Sequence, residues 1–237
     1  MEMYKTTITV LLAAALSVPS VGVAQFEGTI TMQESTTSNG HSTEGRKMVL
    51  RFAKDAFRWD QYIMGDIYGG SQILQRAGNA AIMLNAPKKK FCRTANQEWI
   101  DKKNYKGYNP FHRSTVEASK TGKSKMIAGV ECTEWKVVYK DRPDKDPVSY
   151  TVWTTDKLGV QASIGFGPEI FDTNIVGIVW LKLYDSGLMP LGWSVEKNEG
   201  RVSTVEAVSV DRKKVDPAMF ITPTGYTEVK GTSELFK

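Results

Sequence analysis

Phe26-Glu27-Gly28-Thr29-Ile30-Thr31-Met32-Gln33 alternates apolar or small residues with polar ones without a break. A period of two puts every second side chain on one face of an extended chain. The stretch therefore predicts a strand with one buried and one wet face. The same period returns along the chain. Met48, Leu50 and Phe52 alternate with Lys47, Val49 and Arg51, and Trp135, Val137 and Tyr139 with Glu134, Lys136, Val138 and Lys140. Val148, Tyr150 and Val152 face away from Ser149, Thr151 and Trp153. Further strands are expected at residues 57–64, 71–75, 80–85, 192–197 and 202–210. Ser38-Asn39-Gly40, Gly69-Gly70, Arg142-Pro143-Asp144 and Asn198-Glu199-Gly200 read as turns between strands. Nine or more antiparallel strands on short turns predict a mainly β (α+β) fold with a strongly curved sheet.

Two stretches break the rhythm. Residues 99–119 hold Tyr105, Tyr108, Phe111 and several lysines, and read as a helix with loops. Residues 169–184 place Phe171, Ile175, Ile178 and Val179 on one helical stripe with other apolar residues around it. A helix that is apolar nearly all round is a buried one, and this one is expected to lie across the open face of the sheet.

The N-terminus predicts the compartment. Lys5 precedes an apolar run from Ile8 to Leu16, Pro19 and Ser20 break it, and Gly22-Val23-Ala24 offers small residues before Gln25. That is the pattern of a secretory signal peptide over residues 1–24, leaving residues 25–237 as a single domain. No cysteine stands near the cut, so the expected product is exported, periplasmic and without a lipid anchor. In an oxidising compartment Cys92 and Cys132 are expected to pair, with two buried free thiols as the alternative. Closing that loop would contribute roughly 4 kcal/mol in the chain-entropy model.

Charge is uneven. Residues 86–125 carry eleven Lys and Arg, Lys88, Lys89, Lys90, Arg93, Lys102, Lys103 and Lys106 among them, against three acids. The whole chain is only +5, so the remainder is net acidic. Aromatic residues interleave with these cations, which suits an anionic membrane surface or an acidic envelope protein. The other reading of the segment is a solubilising surface. Export argues against nucleic acid, which would satisfy the same charge.

Catalytic and cofactor patterns fail in turn. Thr121-Gly122-Lys123-Ser124 ends like a phosphate-binding loop, but Glu117 stands where its first glycine belongs, so it reads as a polar turn. Gly165-Phe166-Gly167 has Ile170 in place of the third glycine of a dinucleotide fingerprint. Two distant histidines, His41 and His112, give neither a triad nor metal-ligand spacing. The pairs Asp60/Asp66 and Glu131/Glu134 read as solvated surface charge. The expectation is a protein without catalytic residue, metal or cofactor.

Three features, taken in chain order, carry a family resemblance. Phe26-Glu27-Gly28-Thr29-Ile30 opens the mature chain. Ile127-Ala128-Gly129-Val130-Glu131-Cys132-Thr133-Glu134-Trp135 is followed by Tyr150-Thr151-Val152-Trp153. Met189-Pro190-Leu191 leads through residues 205–210 to Asp216-Pro217-Ala218-Met219-Phe220 and Pro223-Thr224-Gly225-Tyr226. Together they resemble an exported bacterial family of uncharacterised function, over nearly all of residues 26–229. Its fold is similar to that of the periplasmic lipoprotein carriers and receptors (LolA/LolB-like). The resemblance implies a half-barrel with one or two helices plugging its concave face, and brings no catalytic residues. With the apolar inventory it suggests a monomeric binding protein holding a lipid or lipoprotein acyl chain. Trp59, Trp135, Trp153, Phe171, Ile175, Ile178 and Val179 are the candidate contacts. The alternative function is an envelope adaptor that docks through residues 86–125.

Exported material should begin at Gln25. N-terminal sequencing checks this, and a start at Met1 would overturn the compartment argument.

Overall fold

The computed structural model describes residues 26–63, 67–75, 80–95, 115–140, 146–159, 187–196 and 200–237. Its strands are β1 (Gly28–Ser38), β2 (His41–Ala53), β3 (Ala56–Ile63), β4 (Ile67–Gln75), β5 (Ala80–Asn85), β6 (Lys90–Ala95), β7 (Thr115–Ile127), β8 (Val130–Lys140), β9 (Val148–Thr155), β10 (Met189–Glu196), β11 (Val202–Asp211) and β12 (Thr227–Glu228). They form one twelve-stranded sheet in the order β12-β6-β5-β4-β3-β2-β1-β11-β10-β9-β8-β7. Only the β12–β6 pair is parallel. From the central β1 the sheet meanders one way through β2 to β6. The other way it runs back from β11 to β7. The order has two free ends, so the sheet is not closed, as a half-barrel requires.

The alternation of β1 and β2 sets the centre. Ile30, Met32, Met48, Leu50 and Phe52 are all buried on one side, called here the inner face. Asn39 and Gly40 both take positive φ (50° and 77°), the geometry of a two-residue hairpin turn matched to the strand twist. Gly28 is fixed by a close approach, since a Cβ there would stand 2.1 Å from the Asp211 carbonyl oxygen.

The end of the inner face beside Gly28 is filled by aromatic rings. Phe26 meets Phe52 edge-on at 5.4 Å between centroids, and Phe52 meets Phe57 at 5.1 Å. The Phe26 amide donates to the Gly159 carbonyl at 3.1 Å, which ties the first described residue to the end of the β9 segment.

The opposite, outer face of β3–β6 is also buried. Ile73, Ile82, Leu84 and Phe91 pack there against Phe220, with Val215, Met219 and Tyr226 around them. Strands buried on both sides need apolar residues on both parities, which is why Ala80-Ala81-Ile82-Met83-Leu84 shows no alternation. The cover is the C-terminal segment. Asp216 caps its 3₁₀ turn (Pro217–Phe220) by accepting from the Ala218 amide at 2.9 Å, and Pro217 takes a position where no N–H is missed.

A buried charge network fastens this cover. Asp60, 1% exposed, accepts from Arg51, from Arg58 Nε at 2.8 Å and from the Ser71 hydroxyl. Arg58 then donates to the Met219 carbonyl at 2.9 Å, and Gln75 to the Phe220 carbonyl at 2.6 Å. Asp60 is thus not the solvated charge that the sequence suggested. Its strand faces a segment some 160 residues away in sequence, which local pattern cannot foresee.

Three other expectations change. Gly69-Gly70 is no turn but lies inside β4, facing a register shift at Gln61/Tyr62 that lets the pair run on as a bulge. Residues 115–119 are strand rather than helix, and Thr121-Gly122-Lys123-Ser124 is an irregularity within β7 at a register shift between Lys120 and Ser124. Their lysines and polar residues suit an edge strand that water reaches. The helical elements that lie wholly within the described residues are that 3₁₀ turn and Thr232–Leu235. The expected plugging helix, with Phe171, Ile175, Ile178 and Val179, lies outside the described residues.

Asp60→Ala should lower the unfolding free energy by about 3–5 kcal/mol, because the buried Arg58 and the partly buried Arg51 lose their carboxylate. Urea denaturation reads this directly. A loss below about 1 kcal/mol would show that the network does not hold the outer face.

Candidate functional site

Directly paired residues in a sheet point to the same side, so the register shows what shares the inner face. One row runs Ile30, Leu50, Trp59, Gln72, Met83, Cys92 across β1 to β6. Next to it, Gln61 pairs with Gly70. On the side toward Phe57 the face is packed with aromatic rings. Toward Gly70 it opens into a cavity of about 360 Å³. Among the described residues its lining includes Trp59, Gln61, Gly70, Gln72 and Met83, with Arg46 and Phe236 also contributing. The volume falls in the range of roughly 300–1,000 Å³ typical of small-molecule sites.

The rim has its own supports. Arg46 Nε donates to Glu34 at 2.8 Å, and Gln33 donates to the Gly45 carbonyl at 3.2 Å. On the other side the C-terminal helix is fixed to the β5–β6 turn. Asn85 Nδ2 donates to the Leu235 carbonyl at 3.0 Å, and Lys88 Nζ to the Phe236 carbonyl at 2.8 Å. Leu235 is fully buried, while Phe236, the next residue, is largely exposed and reaches the cavity.

Of the expected contacts, Trp59 lines this cavity. Trp135 shares the inner face, in the row Val205, Trp193, Val152, Trp135, but lies on β8, away from the cavity and under the Lys120 ammonium at 5.3 Å. Trp153 is on the other face. Its row is Glu206, Gly192, Trp153, Glu134, and Lys125 sits 4.7 Å over its ring while ion-pairing with Glu206. Trp135 and Trp153 occupy opposite parities of paired strands and so do not share a face. Gln61, Gln72 and Met83 were missed. The continuity of their strands was visible, but their place beside Trp59 depends on register, and Gln72 shows no signal of burial in the sequence.

The described residues of the basic segment fall at both ends of the sheet order. Lys88, Lys89, Lys90 and Arg93 are at the β5–β6 turn and on β6, near one end of the sheet order. Lys120, Lys123 and Lys125 are on β7, its other edge. Lys102, Lys103 and Lys106 lie outside the described residues. Several of these cations have local work. Lys88 and Lys90 donate to carbonyls of the C-terminal helix, and Lys123 pairs with Glu134 at 3.4 Å. Glu134 also accepts from the Thr121 hydroxyl at 2.7 Å, so it is buried and satisfied, while Glu131 is exposed on the other parity. Glu131 and Glu134 therefore point to opposite sides of β8, and Asp66, the other member of the Asp60 pair, lies outside the described residues.

The expected disulfide is absent. Cys92 and Cys132 are both buried free thiols, on β6 and β8, with eight strands between them in the sheet order. A bridge needs Cα atoms within about 7 Å. Burial raises the pKa of Cys92, partly offset by a backbone hydrogen bond from Met83, and pushes Cys132 up to about 11 against the pull of Lys125. Among the described residues no three or more His, Cys, Asp or Glu side chains group to hold a metal ion. Nor is any helix there long and apolar enough to cross a membrane.

The family model for DUF4412, a domain of unknown function, matches residues 26–226. The chain belongs to the DUF4412 family. This agrees with the uncharacterised family that its motifs resemble. No curated protein matches the sequence. Among solved structures, the DUF4412 chain is similar to an uncharacterized conserved protein from Thermus thermophilus. That likeness has 9% identity and a TM-score of 0.44, over 86% of this chain and 91% of that one. It is also similar to a LolA superfamily protein from Nitrosomonas europaea, at 8% identity and a TM-score of 0.33, over 84% and 91%. A DUF1329 family protein from Desulfovibrio piger follows at 8% identity and 0.26, over 84% and 90%.

In the native DUF4412 chain both thiols should react slowly near neutral pH, since buried cysteines with raised pKa hold little thiolate. In denaturant without reductant a thiol reagent should titrate both of them. Recovery of neither would restore the bridge.

Proposed function

We propose that this chain is an exported periplasmic binding protein that holds a lipid or acyl group in the inner-face cavity and catalyses no reaction. The observation that carries the reading is the cavity itself. It lies on the face that also carries the main apolar core, and Trp59, Met83 and Phe236 line it beside the polar Arg46, Gln61, Ser71 and Gln72. A hydrocarbon chain gains about 0.8 kcal/mol for each CH₂ it buries there. Export to the periplasm and the absence of catalysis belong to the same reading. The adaptor alternative draws less support, because Lys88 and Lys90 already bond carbonyls of the C-terminal helix.

Titration with a fluorescent fatty-acid probe tests this. Wild type should bind it saturably, and Met83→Trp, which fills the cavity, should weaken binding at least tenfold while circular dichroism and the urea midpoint report an intact fold. Trp59→Ala should weaken binding too. Absent binding, or binding unchanged in both variants, sinks the proposal.

A further inference from the structure

Gln72 is the most unusual residue of the cavity. It stands between Trp59 and Met83 in the register and is only 3% exposed. Among the described residues its buried side-chain oxygen has no hydrogen-bonding partner. A buried acceptor left unmatched is costly, and proteins seldom keep one in an apolar wall without a use for it. Trp135 Nε1 and Thr154 Oγ1 are buried without partners as well, but on β8 and β9, outside the lining of the cavity. Gln72 alone combines an orphaned acceptor with a place in the cavity wall.

We infer that the ligand is an amphiphile whose apolar chain carries a hydrogen-bond donor, a hydroxyl or an amide N–H, which the Gln72 side-chain oxygen accepts. This deepens the proposed function and rests on it. The chain packs against Trp59 and Met83, while the donor settles on Gln72 within the wall. A purely hydrocarbon occupant would leave the acceptor unmatched. A donor converts the same burial into a satisfied bond, and the dry setting strengthens it. The site therefore selects by a polar group set between Trp59 and Met83, the kind of discrimination that apolar contact by itself supplies poorly.

The test compares two probes of nearly equal shape, decanol and decyl methyl ether, by displacement of the fluorescent fatty acid. Wild type should prefer the alcohol by at least tenfold, and Gln72→Met should abolish that preference while still binding the ether. Because the substitution removes an orphaned acceptor, the urea midpoint of the unliganded variant should hold or rise. Equal affinity of wild type for both probes overturns the inference and leaves the binding function standing. So does a preference that survives in Gln72→Met, or a large drop in that variant's midpoint, which would assign Gln72 a structural partner. If neither probe displaces the fatty acid, and the fatty acid itself does not bind, both proposals fall. If Gln72→Met does not fold, the midpoint criterion has failed and the inference falls with it.

Discussion

The carboxylate of Asp60 is buried between Arg51 and Arg58, and Arg58 reaches on to the Met219 carbonyl. Charges taken out of water are tolerated only when paired and hydrogen-bonded, so this network cannot be left partly made. It stands on the outer face of β3 and fixes where the C-terminal segment crosses. From there Phe220 enters the apolar cluster of Ile73, Ile82, Leu84 and Phe91, and the chain goes on to pair β12 with β6. The terminal helix then docks on Asn85 and brings Phe236 to the cavity. One buried charge group thus links the cover of the outer face to the rim of the inner one.

An open sheet leaves the two faces to be solved separately. The outer side of β3–β6 is covered by the chain's own C-terminal segment. The inner side is packed with rings near Gly28 and hollow near Gly70. The contrast follows from side-chain size along paired strands. Phe52, Phe57 and Leu74 lie in one row, while Gln61 and Gly70 face each other in another. Glycine adds no volume, and Gln61 and Gln72 add polar groups to a lining that also holds Trp59 and Met83. The unmatched oxygen of Gln72 costs the unliganded fold some stability.

Much of the fold was legible locally. Alternation in residues 26–33, 47–52, 134–140 and 148–153 identified strands and their buried sides, because burial on one face imposes a period of two. Legibility failed where that condition failed. Strand β4 is buried on both faces, and its Gly69-Gly70 looked like a turn although it is a bulge. Strand β7 is an edge, so its lysines and Thr121-Gly122 concealed a long strand. Asp60 and Glu134 looked like surface charge because their partners come from elsewhere in the chain. Of the candidate site, Trp59 was legible as a large aromatic residue on a strand, while Gln72 was not.

The sequence by itself determined most of the strands and of their inward residues, the hairpin at Asn39-Gly40 and the family of the chain, since each depends on residues close together or on their order. The tertiary structure decided which strands became neighbours, and so put Trp59, Gln72 and Met83 in one row and Trp153 on the other side. It also kept Cys92 and Cys132 apart and spread the basic residues between the two ends of the sheet. The physical reason is register: a strand's alternation names two faces, but only its hydrogen-bonded partners decide which side chains meet on each.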